Sequence, residues 1–202
     1  MCLLVAGCGC ASQPPLGAPI EDAARWATLV QAYRRPEVPR AVFRTVIRWG
    51  SREISLTEVV QPAPQGGLSV AGVTDIGSTL YAARIDPEGQ GHVVTNALPF
   101  SNRWLLDGLV AELLVPWNGP DETCRLYQSP DGTWTLVRAL GRDIRMFLFD
   151  ESGNWHGFRR FSGSHLCSRA SLEWDDEPVP KTMRVDNPDK HYRVVRERVD
   201  GR

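Results

Sequence analysis

Between Val42 and Val199 the chain places apolar residues at every second position and repeatedly interrupts them with short runs of Gly, Pro, Asn or Asp. Period two is the pattern of a strand with one buried face. Four turn signals, Asp86-Pro87-Glu88-Gly89, Pro130-Asp131-Gly132, Glu151-Ser152-Gly153-Asn154 and Asn187-Pro188-Asp189, each lie between two such runs. Connections this short cannot carry a parallel crossover, so sequence neighbours must pair antiparallel. The expected hairpins join 79–85 to 92–95, 125–128 to 134–139, 144–149 to 155–161 and 182–185 to 192–199. Residues 42–49 and 53–60 form another around Gly50-Ser51, and 68–74 continue it, whereas Gly163-Ser164-His165 reads as a loop. No internal repeat is evident, which disfavours a solenoid or propeller.

Two segments break the alternation. From 20 to 34, Ala23, Ala27 and Val30 share a helical face with Trp26, Leu29 and Tyr33 beside them, until Pro36 and Pro39 end the run. From 103 to 114, Leu105, Leu106, Leu109, Val110, Leu113 and Leu114 recur at helical spacing, with Ser101 or Asn102 as N-cap and Pro116 as terminator. An apolar stripe this broad must cover something, and the concave face of a twisted sheet is the surface at hand. At 202 residues the chain is long enough for one domain, taken as 20–202. With 42% hydrophobic and 23% charged residues it is neither a disordered chain nor a multi-pass membrane protein. With 23 Lys+Arg against 24 Asp+Glu it has no cationic surplus for a polyphosphate backbone, so no nucleic-acid partner is expected.

The start, Met1-Cys2-Leu3-Leu4-Val5-Ala6-Gly7-Cys8, has the layout of a signal-peptide end, and Val5-Ala6-Gly7-Cys8 resembles the bacterial lipobox. Residues 1–7 would leave, their positive region lying further upstream, and Cys8 would be lipidated. Each methylene an acyl chain buries contributes roughly 0.8 kcal/mol, so two or three chains hold a domain on a bilayer. Gly9, a non-acidic second residue, suits transfer to the outer membrane. Residues 8–19 are small, polar and Pro-rich, the composition of a tether.

The lipobox-like start, the meander and the run Leu105-Leu106-Asp107-Gly108-Leu109-Val110-Ala111-Glu112-Leu113-Leu114-Val115-Pro116-Trp117 together resemble the DUF3261 family of bacterial lipoproteins. The likeness spans most of 42–199. That family is similar in turn to the lipoprotein-localisation carrier and receptor, LolA and LolB. The resemblance implies a mainly β fold with a few helices, an antiparallel meander curved into an incomplete β-barrel with the central helix over its concave face. It also implies a periplasm-facing outer-membrane lipoprotein that holds lipid, an acyl chain or lipoprotein, and it supplies no catalytic residue. An acyl chain entering such a trough gains about 25 cal/mol per Å² of apolar surface removed from water. The inward candidates are Leu106, Leu109, Leu113 and Trp117 from the helical run, with Trp49, Leu80, Trp134, Leu136, Phe147, Phe149 and Phe158 from the strands. The same residues could instead fill a dry core.

Residues with reactive chemistry are scattered. His92, His156, His165 and His191 lack metal-ligand spacing, Asp175-Asp176-Glu177 lacks a calcium-loop pattern, and no phosphate-binding glycine motif is present. No metal, cofactor or enzymatic activity is expected. Cys124 and Cys167 could pair in an oxidising compartment or remain two separate thiols. Of Arg159-Arg160, in a strand-like run, one must point to the convex side and could meet an anionic headgroup, or the two form an exposed pair. Two rival readings share this scaffold: a non-enzymatic protein docking an envelope partner through its strand edges, and a small hydrolase with His156 or His165 as base.

Overall fold

The computed structural model describes residues 18–33, 40–117 and 119–199, so the signal end 1–7, the lipidation at Cys8 and most of the tether lie outside the described residues. Twelve strands form one sheet: β1 (Ala41–Trp49), β2 (Arg52–Pro62), β3 (Leu68–Val73), β4 (Thr79–Ile85), β5 (Gly91–Asn96), β6 (Arg125–Gln128), β7 (Trp134–Leu140), β8 (Asp143–Phe149), β9 (Trp155–Ser162), β10 (His165–Glu173), β11 (Thr182–Asn187) and β12 (Tyr192–Arg198). Their spatial order is β5-β4-β3-β2-β1-β12-β11-β10-β9-β8-β7-β6. Every pair is antiparallel, and β1–β12 is the one pair that is not consecutive in sequence. Strands β5 and β6 are therefore both edges, and the chain between them carries the central helix across the opening. This is the expected mainly β, incomplete-barrel arrangement with a helix over the concave face.

Every expected hairpin forms, and the alternation survives as burial: in β1, Ala41, Phe43, Thr45 and Ile47 point inward while their neighbours are more exposed. The region after Gly163 is a correction, because His165 already pairs with Ser162 and opens β10. The register of β10 shifts between Leu166 and Ser168. That irregularity puts the sequence out of phase and hides the strand from a period-two search. Gly163, at φ +62°, closes the tight turn before it.

The first helix, α1 (Ala23–Tyr33), caps the β6–β9 end of the trough. Its Trp26 Nε1 donates to the Cys124 carbonyl at 2.9 Å, and the Tyr33 hydroxyl accepts from the Trp155 amide at 2.6 Å. Just before it, the Ile20 amide donates to the Leu126 carbonyl at 2.9 Å, covering part of the β6 edge.

The central helix starts as expected, with the Ser101 hydroxyl accepting from the Trp104 amide at 3.1 Å. It is not α-helical throughout: α-turns Asn102–Trp104 and Ala111–Leu113 flank a π-helical stretch, Leu105–Val110. The wider turn shows in the Ala111 amide reaching back to the Leu106 carbonyl. Leu105, Leu109, Val110 and Leu113 are buried on this helix, in a core that includes Phe43, Tyr81, Phe147, Phe149 and Trp155. No described helix is long and apolar enough to cross a membrane.

Candidate functional site

Beneath the π-helical stretch the core is ionic. Glu58 on β2 and Arg196 on β12 are both fully enclosed, at 0% exposure, so no water competes for their charges. Arg196 Nε donates to Glu58 Oε2 at 2.6 Å, and its Nη2 donates to the Leu109 carbonyl at 3.1 Å. Thr45 donates to the same carboxylate at 2.7 Å, and the Tyr81 hydroxyl donates to Glu58 Oε1. Burial opposes the Arg196 charge, but Glu58 outweighs it and holds the guanidinium protonated. Burial, reinforced by Glu58, pushes the Tyr81 hydroxyl well above its ordinary range, keeping it a donor.

The register explains how Tyr81 gets there. Glu58 lies opposite Gly72, and Gly72 opposite Tyr81. A Cβ on Gly72 would stand 2.3 Å from the Tyr81 ring, so the missing side chain is the space the ring crosses to reach Glu58. Gly72→Ala is expected to lower stability by about 1–3 kcal/mol through overpacking. An unchanged urea midpoint would show that the ring does not depend on that space.

A second buried carboxylate ties the helix to the sheet. Glu112 accepts from Asn187 Nδ2 at 2.7 Å and from the Tyr192 hydroxyl. Burial pushes Glu112 up from the ordinary carboxylate range, more than its two hydrogen bonds and the charges of Arg196 and Lys190 pull it down. Two sheet arginines reach carbonyls of the π-helical stretch, Arg196 at Leu109 and Arg160 Nη1 at Asp107 (3.4 Å). Donors from outside the helix thus serve carbonyls within it.

On the flank of the helix lies a partly open cavity of about 450 Å³. One wall is apolar and helical, with Leu106, Val110, Leu114 and Val115; Ile85 and Phe158 continue it, and Asp107 and Glu112 lie on the helix side. The opposite wall carries Arg138, Arg145 and Arg160. Strand register places these three in one row, Arg138 opposite Arg145 and Arg145 opposite Arg160, with Ser168 opposite Arg160. Two residues along the strands, the same concave face is apolar, as Leu136, Phe147, Phe158, Ala170, Val185, Val194, Ile47 and Ile54 follow one another across eight strands. The trough is layered, a greasy level beneath a cationic one.

The arginine row has few counter-charges. Asp143 is divided between two guanidiniums, Oδ1 to Arg160 Nε at 2.9 Å and Oδ2 to Arg145 Nε at 3.1 Å, and Arg138 pairs with Asp121. Burial pushes Asp143 up, but the hydrogen bonds and charges of Arg160 and Arg145 outweigh it, leaving the carboxyl below its ordinary range. A second cavity of about 470 Å³ shares Asp107, Arg160 and Ser168 with the first and extends toward Trp104, Cys167 and Lys190.

The expected lining residues divide between core and cavity. Leu106 and Phe158 line the 450 Å³ cavity. Leu109, Leu113, Leu136, Phe147 and Phe149 are enclosed in packed core, because the aromatic side chains of the strands fill the space directly under the helix. Trp49, Leu80, Trp117 and Trp134 are half-buried at its margin. Glu58, Arg196, Glu112, Tyr192, Arg138 and Arg145 were missed, although each strand charge among them stands in the apolar phase of its segment.

Cys124 and Cys167 are free thiols. Cys124 precedes β6 while Cys167 sits in β10, with β7, β8 and β9 between them in the sheet. At about 4.8 Å per strand that spacing far exceeds the reach of a disulfide. Burial pushes both thiols up, and the Asp189 charge adds to this at Cys167. His165 Nε2 meets Asp189 Oδ1 at 3.0 Å, while the Cys167 sulfur points to the His165 carbonyl at 3.7 Å, so the ring does not act on the thiol. Arg160 faces the cavity and Arg159 lines a groove on the opposite face. Asp175 is engaged by Arg198 at 2.6 Å. Among the described residues, no group of three or more His, Cys, Asp or Glu is placed to hold a metal ion.

The molecule is thus an open antiparallel trough, closed over by one apolar helix that is pinned through buried charges and flanked by an amphipathic cavity. No family model matches the chain, and no curated protein matches it in sequence. Among solved structures it is similar to a LolA superfamily protein from Nitrosomonas europaea, at 11% identity and a TM-score of 0.47, covering 86% of this chain and 89% of that one. It is also similar to a DUF1329 family protein from Desulfovibrio piger, at 9% identity and a TM-score of 0.46, covering 88% and 90%. A third similar structure is a domain assigned to outer membrane lipoprotein sorting from Vibrio parahaemolyticus, at 8% identity and a TM-score of 0.46, covering 86% and 89%.

Proposed function

We propose that this protein is a non-enzymatic carrier or receptor for an acyl chain, borne by a lipid or a lipoprotein, at the periplasmic face of the outer membrane. In this reading it belongs with the DUF3261 lipoproteins, on the strength of its central run, and is anchored through lipid on Cys8. The observation that carries the reading is the cavity on the flank of the central helix. Its size, about 450 Å³, lies within the roughly 300–1,000 Å³ of small-molecule sites. The half-buried Leu106 and Ile85 on its apolar wall give a hydrocarbon chain a surface to lie against. Burial of the chain drives binding, and no bond need be made or broken.

Native mass spectrometry of the full chain, purified without detergent, is expected to show an adduct with the mass of a lipid or fatty acid that organic extraction removes. A chain free of adducts from several bacterial hosts, and unable to take up added fatty acid, would count against the reading. Cys8→Ser is expected to move the protein from the membrane fraction to the soluble one; unchanged fractionation would remove the anchor. A second reading draws on the unpaired edge of β5, where Val94 is 63% exposed. An adduct-free protein that captures an envelope partner, and loses it on Val94→Lys, would favour docking through that edge.

A further inference from the structure

We propose that the arginine row Arg138–Arg145–Arg160 is a recognition site for the acidic headgroup, a carboxylate or phosphate, of an amphiphile whose chain lies against the helix wall of the same cavity. The inference rests on the acyl-binding reading and adds the headgroup chemistry. Like charges directly opposite one another on adjacent strands repel, and here three guanidiniums from β7, β8 and β9 stand in one register row. They also project from the concave face, where the flanking positions of the same strands are Leu136, Phe147 and Phe158. Stability alone does not favour such an arrangement; an incoming anion would relieve it.

The donors are suited to the task. A guanidinium carries five N–H donors in a planar fork that matches an oxyanion. Arg145 uses its Nε on Asp143, and among the described residues neither of its terminal nitrogens has a hydrogen-bond partner. Among the described residues Asp143 is the one carboxylate ion-paired with Arg145 and Arg160, so the three together carry a net positive charge. Of the helix-side acids, Asp107 is shared between Arg103, at 3.3 Å, and the charge of Arg160, while burial raises Glu112 above the ordinary carboxylate range and so weakens its negative charge at the cavity. Opposite the row, the half-buried Leu106 and Ile85 offer no partner to a headgroup but an apolar surface to a chain. One cavity thus has a charged wall and a greasy wall, the two halves of an acidic amphiphile.

The test is isothermal titration of the delipidated full chain with dodecyl phosphate, with uncharged monododecanoyl glycerol and with inorganic phosphate. Dodecyl phosphate is expected to bind at least tenfold more tightly than the glyceride, and to lose that advantage as salt is raised. Arg145→Gln, at a side chain 32% exposed and thus compatible with folding, is expected to cut the ratio of the two affinities about tenfold or more, the loss of one charge-assisted contact. Arg145→Lys should restore part of the ratio. Equal affinity for the two amphiphiles, or a ratio unchanged by Arg145→Gln in a protein that melts normally, would overturn the headgroup site while leaving the cavity intact. Inorganic phosphate binding as tightly as dodecyl phosphate would overturn it in favour of a simple anion site. Failure of all three to bind would instead refute the acyl-carrier reading on which it rests.

Discussion

Arg196→Met is expected to destabilise the protein by about 3–5 kcal/mol, because it leaves the Glu58 carboxylate in the core without its counter-charge. The loss should exceed that of an ordinary core truncation of similar volume, since the Leu109 carbonyl also loses its donor. Glu58→Gln alone should cost a similar amount by stranding the guanidinium. The informative variant is the double one, Glu58→Gln with Arg196→Met. A buried pair is worth little net once its desolvation is counted, and here Arg196 Nη1 is buried without an acceptor among the described residues, so compensation is incomplete even in the native protein. With both charges gone, one of Thr45 and Tyr81, which donate to different Glu58 oxygens, can still donate to the amide oxygen. The double variant should therefore cost less than the sum of the two singles by at least about 2 kcal/mol. Urea unfolding at neutral pH measures all four corners of the cycle. Strictly additive costs would show that Glu58 and Arg196 do not act as a pair.

The same two residues show what the sequence made legible. Alternation located the strands because burial of one face imposes it, and the antiparallel meander followed from turns too short for any crossover. What the alternation also carried, unread, was the set of charges in the apolar phase: Glu58 between Leu56 and Val60, and Arg196 after Tyr192 and Val194. Arg138 follows Leu136, Arg145 precedes Phe147, and Arg160 follows Phe158 in the same way. A charge in the inward phase must find a partner across the trough or face a cavity. That rule separates the paired Glu58–Arg196 from the arginine row. Which partner each would find depends on register between strands far apart in the chain, such as β2 and β12, and no local pattern encodes it. The π-helical stretch was invisible for a similar reason. Its apolar spacing fits an α-helix, and the donors that reach its carbonyls, Arg196 and Arg160, come from strands 87 and 53 residues away. The strand β10 was obscured by its own register shift at Cys167.

Leu109 and Leu106 lie three residues apart on that helix, and a carboxylate at each is expected to fail in a different way. Leu109 has no exposure and packs in the core, while its carbonyl receives Arg196. Leu109→Asp places a charge where no water can reach it and is expected to cost more than about 4 kcal/mol, a large part of the roughly 5–15 kcal/mol that keeps a domain folded. Leu109→Ala removes only the packing and should cost about 2–5 kcal/mol. Leu106 lines the cavity instead, where solvent and the arginine row can both attend a new carboxylate. Leu106→Asp should therefore remain folded, with a cooperative melt near that of the parent, yet lose the lipid adduct because the apolar wall is broken and an acid now occupies the guanidiniums opposite. Circular dichroism melts and native mass spectra on the same samples separate the outcomes. If Leu109→Asp melted like the parent, the helix would not be packed as described. If Leu106→Asp kept its lipid, the acyl chain would lie somewhere other than this flank. The expected contrast between two leucines of one stripe comes from the sheet below them, which fills the space under one and leaves the flank of the other open.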